Sequence, residues 1–256
     1  MSTLLAFMKK EWTENVRNSR LILLVIIFIL FGIMNPAIAK LIPWLMRTMA
    51  DSLEETGLTV AEVEVNAMTS WTQFYKNIPM ALVIYVLLFS SIITSECHKG
   101  TLIPILTKGL ARSKVIIAKT TLMLVFWTLC YWLCFLITYG YNAYFWNNSI
   151  ASNLMFSAAC YYLFGIWIIT LIPLMSTLAS NSTYVLAGTA GIYLVSYFLS
   201  FPAALKKYTP ARLAESTGLL MGQSSPSDYT MCIIVALLLT IINIIASVIL
   251  FNRKNL

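Results

Sequence analysis

The stretch Glu96-Cys97-His98-Lys99-Gly100-Thr101-Leu102-Ile103-Pro104-Ile105-Leu106 is short, basic and amphipathic, and it lies between two long apolar runs. The run before it, Ile78 to Thr94, and the run after it, Val115 to Gly140, are each of bilayer-crossing length. A polar segment caught between two such runs belongs at a membrane surface. Five cations (Lys99, Lys108, Arg112, Lys114 and Lys119) against one acid, Glu96, place it on the cytoplasmic side.

Working outward, composition agrees. The 256 residues are 59% hydrophobic and 11% charged, whereas a soluble domain carries about a quarter charged residues. The fold class read from this is all-α and integral to the membrane. Six transmembrane helices are expected, over Leu21–Leu41, Ile78–Ser95, Val115–Tyr139, Leu154–Leu178, Tyr184–Phe201 and Tyr229–Phe251. The first is too long and too deep in the chain for a signal peptide, and no small-residue cleavage site follows it. The net charge of +7 does not form a basic stripe, so it is no nucleic-acid footprint.

Orientation follows from Lys and Arg. With both termini inside, eleven of the 17 cations are cytoplasmic and six are outside, while three acids are inside and seven outside. The excess and its nearness to the span ends favour cytoplasmic termini. Lys206, Lys207 and Arg212, in an outer loop, are the exceptions.

Residues 1–20 read as a cytoplasmic amphipathic helix lying along the membrane interface. Leu5, Met8, Trp12 and Val16 share one face, with Lys9, Lys10, Glu14 and Arg17 on others. Residues 21–256 form the six-span domain. Within it, residues 43–77 are expected to form a helical hairpin at the outer mouth. One arm carries Trp44, Leu45, Met49 and Leu53; a capping box at Thr59-Val60-Ala61-Glu62 opens the other, with Val63, Ala67, Trp71 and Phe74. Residues 95–119 form a cytoplasmic loop, and residues 203–228, with Pro210, Gly218, Gly222 and Pro226, an outer loop that is irregular or partly helical.

Several chemistries are disfavoured. Apart from Lys40, no Asp, Glu, Lys, Arg or His is read within the hydrocarbon part of a span, Lys119 being counted with the cytoplasmic loop, which argues against a proton-coupled antiporter. There is no Gly-Lys-Ser/Thr phosphate loop, so no ATP site of that type. The only histidine, His98, sits beside Cys97 without the further ligands a metal centre needs. The five cysteines show no Cys-x-x-Cys spacing and read as small apolar residues. No catalytic or metal-ligating set is predicted.

In the spans, Tyr85 and Phe89 of the second and Tyr193, Tyr197 and Phe201 of the fifth are candidates to line a transport path. Ala187 and Gly191 have the small-xxx-small spacing that lets helices approach. The commoner explanation of such aromatics is a lipid-facing or interfacial position.

The segment from Glu96 to Lys119 resembles the first cytoplasmic loop of type 2 ATP-binding-cassette permeases. The matching features are the acid Glu96, Gly100-Thr101, an apolar stretch, Arg112-Ser113 and Lys119; the departures are Cys97-His98 and Pro104. The resemblance implies that Glu96, Lys99, Gly100, Thr101, Leu102, Ile103, Ile105, Leu106 and Arg112 form a coupling loop pushed by an ATPase. It also implies that Lys9, Lys10, Glu11, Trp12 and Arg17 belong to a connecting helix touching the same partner. The chain itself then holds no cofactor, since ATP and Mg are bound by a separate ATPase subunit. A second permease copy or a paralogue completes the assembly in a bacterial plasma membrane, surrounded by lipid and without nucleic acid. The layout is similar to that of permeases exporting amphipathic peptide toxins. The alternative is a membrane immunity or sensor protein that binds a peptide without moving it.

Overall fold

The computed structural model describes residues 3–54, 65–107, 109–215 and 217–254. Helix is the regular structure throughout these residues, and no strand occurs among them. The elements are α1 (Thr3–Arg17), α2 (Arg20–Glu54), α3 (Ala67–Phe89), α4 (Thr94–His98), α5 (Ile103–Thr107), α6 (Arg112–Phe145), α7 (Leu154–Leu178), α8 (Ser182–Phe198), α9 (Ala203–Lys206), α10 (Thr217–Leu220) and α11 (Thr230–Arg253).

Helices α6 and α7 form the centre. Helix α6 touches α1, α2, α3, α7 and α11, and α7 adds α8. Their sequences are apolar on every side, which is the pattern of a helix surrounded by other helices. A close approach sets the α6–α7 spacing. A methyl group at Gly165 would collide with the indole of Trp127, so only glycine fits there. Gly32 plays the same part where α2 meets α6 beside the Cys134 carbonyl. Gly191, expected to serve close approach, has open space around it.

The outer faces of α2 and α11 show the opposite pattern. Ile22, Ile26 and Leu30 of α2 and Ile234, Leu238, Ile241 and Ile245 of α11 are exposed. Patches of that extent are unstable in water and natural against lipid. Five segments are long and apolar enough to cross a membrane: Arg20–Met46, Ala67–His98, Arg112–Phe145, Leu154–Leu178 and Pro226–Arg253. The expected fifth span appears as α8, a 17-residue helix that lies at the edge of the bundle on α7 and on the turn Pro210–Ala214.

The interior is aromatic. Trp71, Phe74, Trp127, Tyr131 and Phe135 are fully or almost fully buried and pack edge-to-face or tilted on one another. Several polar groups inside it are paired across helices. Asn77 Nδ2 donates to Asn35 Oδ1 at 2.9 Å, Asn35 Nδ2 donates to Thr138 Oγ1 at 3.2 Å, and Thr138 donates to the Gly32 carbonyl at 3.0 Å. This chain joins α3, α2 and α6. Asn243 Nδ2 donates to Thr170 Oγ1 at 3.3 Å and joins α11 to α7. Each such bond contributes on the order of 0.6 kcal/mol in a membrane protein.

Among the described residues of the expected outer hairpin, Trp44 and Leu45 continue α2 through Pro36 and Pro43, and Trp71 and Phe74 lie in the first two turns of α3. Asn66 caps α3 by accepting from the backbone of Met68 at 3.0 Å and Thr69 at 3.3 Å. Trp71 and Phe74 are buried in the bundle and so cannot cover a mouth. The capping box at residues 59–62 and Val63 lie outside the described residues.

Candidate functional site

The site is built where α1, the segment 90–111, the α7–α8 turn and the C-terminal end of α11 gather at one end of the bundle. Its first component is α1. Phe7, Glu11 and Asn15 fall four residues apart and are buried against the bundle. Of the face expected to be apolar, Met8 is half-buried against the core while Leu5, Trp12 and Val16 are exposed, and the side turned to the bundle is the Glu11 edge. The reason is charge: α6 offers a buried cation there, and only the Glu11 edge can pair with it. Trp12 retains one contact inward, with its ring 5.1 Å from that of Phe126.

That cation is Lys119, which is fully buried about two turns into α6. Its Nζ lies 2.7 Å from Glu11 Oε2 and 3.0 Å from Glu96 Oε2. Lys10 Nζ extends the network, 3.1 Å from Glu11, 2.6 Å from Glu14 and 3.6 Å from Glu96. Three carboxylates therefore converge, with ligand-type oxygens within 4.8 Å of one another. Two ammonium groups lie among them and supply the countercharge that a metal ion would otherwise bring.

The hydrogen bond from Lys10 is the main influence holding the Glu14 carboxyl below its usual range, over the opposing effect of burial. Burial pulls the Lys10 pKa down, but the bond to Glu14 and the charges of Glu11 and Glu96 outweigh it. The net direction for Lys10 is up.

The second component is the loop. Helix α4 is capped at Lys99 and followed by Gly100, whose φ of +64° is the left-handed conformation that glycine takes without a Cβ penalty. The Thr101 amide closes the turn on the Glu96 carbonyl at 3.2 Å. Helix α5 starts at Ile103, so Pro104 falls in its first turn, where a missing N–H leaves no bond unmade. Of the four apolar residues expected in the coupling loop, Leu102 is only 1% exposed, and Ile105 and Leu106 are half-buried against the core. Ile103, at 48%, is the one that faces outward, with Lys99, Thr101 and Pro104 beside it. Lys108 lies outside the described residues.

Further bonds tie this end together. His98 Nε2 meets the Ser180 carbonyl, linking the loop to the α7–α8 turn. Lys254 Nζ donates to the Ser176 and Ala179 carbonyls at 2.9 and 3.0 Å, a cation placed on the C-terminal carbonyls of α7. Arg112, expected to meet a partner, donates to the Lys254 carbonyl. Lys9 and Arg17 are exposed on the outer side of α1.

The path candidates separate into two groups. Tyr85 and Phe89 are wholly buried and stacked with ring centroids 4.7 Å apart, and Tyr85 donates to the Met123 carbonyl at 2.5 Å. They are core residues and line no surface. Tyr193 is half-buried, and Tyr197 and Phe201 are 43% and 65% exposed on the edge helix and just beyond it. Sequence reading found Glu11, Glu96 and Lys119 separately and missed that they meet. The available signal was a lysine following the apolar run Val115-Ile116-Ile117-Ala118, which has no reason to be in a span unless it is paired. Asn35 and Asn243, in apolar runs of their own, carried the same signal.

Five helices long and apolar enough to cross a membrane, and a polar end where the loop, α1 and the C-terminal end of α11 interlock, describe a multi-pass membrane protein. Residues 5–256 match the family described as ABC-2 family transporter protein. The chain belongs to that family, whose members are membrane components of transporters and normally pair with an ATP-binding-cassette ATPase. No curated protein matches the chain.

Proposed function

We propose that this chain is the permease subunit of an ATP-driven exporter that moves amphipathic peptides or hydrophobic compounds out of the cell by alternating access. Both termini and residues 95–119 face the cytoplasm, α8 serves as the fifth of six spans, and two copies, or this chain and a paralogue, enclose the path. The ATPase, which binds ATP and Mg, sits beneath the α4–α5 segment and α1.

The observation that carries this reading is the contact of buried Lys119 with both Glu11 and Glu96. Through it, the loop, α1 and the base of α6 form one charged joint, so a push on Ile103 and its neighbours reaches a central helix without passing through flexible loop. The half-buried Tyr193 and the exposed Tyr197 and Phe201, on α8 and just beyond it, suit an apolar or amphipathic cargo wall. Core residues Tyr85 and Phe89 take no part in it.

The test is co-reconstitution with its partner ATPase, followed by ATP-dependent movement of a labelled amphipathic peptide across the vesicle membrane. Movement that stops in an ATPase variant unable to hydrolyse ATP supports the reading. Peptide binding with no ATP-dependent movement sinks it and marks a sensor or immunity protein instead.

A further inference from the structure

Helix α4 is little more than one turn, and its polar side chains reach to opposite sides. Each step along a helix turns by about 100°, so Glu96 and His98 stand about 200° apart. Glu96 meets Lys119 of α6 and Lys10 of α1. On the other side His98 Nε2 donates to the Ser180 carbonyl, the one hydrogen bond between this loop and the α7–α8 turn among the described residues. A carbonyl only accepts, so Nε2 carries the proton. His98 is also one of the places where the loop departs from the pattern of Glu96 and Gly100-Thr101 that makes it resemble its family.

The Ser180 carbonyl is placed to act on α8. Only Ala179, Ser180 and Asn181 separate α7 from α8, and Asn181 caps α8 by accepting from the Tyr184 amide at 3.0 Å. The α7 side of the turn is anchored, because Lys254 at the end of α11 holds the Ser176 and Ala179 carbonyls at 2.9 and 3.0 Å. Helix α8 packs on α7 and on the turn Pro210–Ala214 at the bundle edge. With α7 held, a displacement of Ser180 is taken up in the three-residue turn and tilts α8. We propose that His98 is a positioning residue that carries movement of the loop to α8 through Ser180, beside the route through Glu96 and Lys119 to α6. The inference rests on the exporter reading for the source of that movement, and names the residue that delivers it to the helix bearing Tyr193 and Tyr197.

The experiment compares the full chain, His98→Ala and His98→Gln, each alone and with the partner ATPase. The glutamine amide offers an N–H donor in place of Nε2. His98 is exposed, so both variants should fold normally. Spin labels at exposed Lys99 and Thr183, in a background without the native cysteines, report the separation of the loop from α8. In the permease alone, the distance distribution should be wider in His98→Ala and narrow again in His98→Gln. In the reconstituted complex, peptide moved per ATP hydrolysed should fall about two- to tenfold in His98→Ala, the span of one net hydrogen bond, and recover in His98→Gln. Equal distributions in all three proteins, His98→Gln as wide as His98→Ala, or undiminished peptide per ATP in His98→Ala would each overturn the assignment. No ATP-dependent movement in the unaltered protein counts against the exporter reading instead, and the distributions of the permease alone then decide whether His98 holds the turn.

Discussion

Lys119 Nζ lies 2.7 Å from Glu11 Oε2, and this pair, 108 residues apart in sequence, is buried on both sides. It fastens the N-terminal helix to the central helix of the bundle. Removing water from two charges is expensive, and the pair is tolerable because Glu96 and Lys10 supply the remaining partners. Breaking it from one side should therefore be worse than removing it whole. Lys119→Met leaves Glu11 buried with only half-exposed Lys10 beside it and should lower stability by about 3 kcal/mol, while Glu11→Gln/Lys119→Met together should recover part of that loss. Thermal unfolding of the four proteins in detergent measures the coupling; additive losses would show that the two residues do not act as a pair.

The loop residues should divide by burial. Leu102→Asp places a charge in the core and is expected to reduce folded yield and the unfolding temperature. Ile103→Asp changes an outward-facing side chain and should leave the unfolding temperature nearly unaltered. If the ATPase docks here, Ile103→Asp alone reduces its co-purification. Equal loss of fold in both variants would contradict the burial pattern.

The hold on α1 should depend on pH at both extremes. Glu14 is depressed in the folded state, so its contribution is present above the ordinary carboxylate range and is lost as pH falls through its lowered value. Lys10 is raised, so its contribution persists through the ordinary lysine range and is lost only as pH rises beyond it. Limited proteolysis within α1 should therefore accelerate at acidic pH, and Glu14→Gln should flatten that acid limb. The pair is partly exposed, so 1 M salt should blunt the effect as well.

Tyr85 is expected to behave as core. Tyr85→Phe loses one hydrogen bond, to the Met123 carbonyl, and should cost about 1 kcal/mol. Tyr85→Ala opens a cavity beneath Phe89 and Trp127 and should cost about 3–5 kcal/mol. Tyr197→Ala, at a half-exposed ring on α8, should change the unfolding temperature far less. A Tyr197→Ala loss as large as that of Tyr85→Ala would show that α8 is packed on both sides.

Sidedness is open to a labelling test. In a background lacking the five native cysteines, cysteine at exposed Lys99 should be protected from an impermeant maleimide applied to intact cells, and cysteine at exposed Ser149 should react. The reverse pattern would invert the proposed orientation.

Much of the bundle was legible in the chain because lipid imposes a crude rule: every crossing segment must be a long apolar helix with its backbone bonds satisfied internally. Leu154–Leu178 was read with its bounds as observed, and the long helices α2, α3, α6 and α11 were each recognised from their apolar runs. Length and hydropathy are local properties, so the sequence by itself determined an all-helical membrane protein and the place of its polar loop. Which face of each helix turns inward is not local. An exposed isoleucine on α11 and a buried one on α7 are the same residue type, and in lipid both are comfortable. Only the tertiary structure decided that α1 docks by Glu11 and not by Trp12, and that Tyr85 and Phe89 belong to the core. It also decided that Leu102 is hidden while Ile103 is not. The physical reason is that inside a membrane the hydrophobic effect no longer chooses the inner face. Close packing at Gly165 and Gly32 and the pairing of Lys119, Asn35 and Asn243 choose it, and those depend on partners far away in the chain.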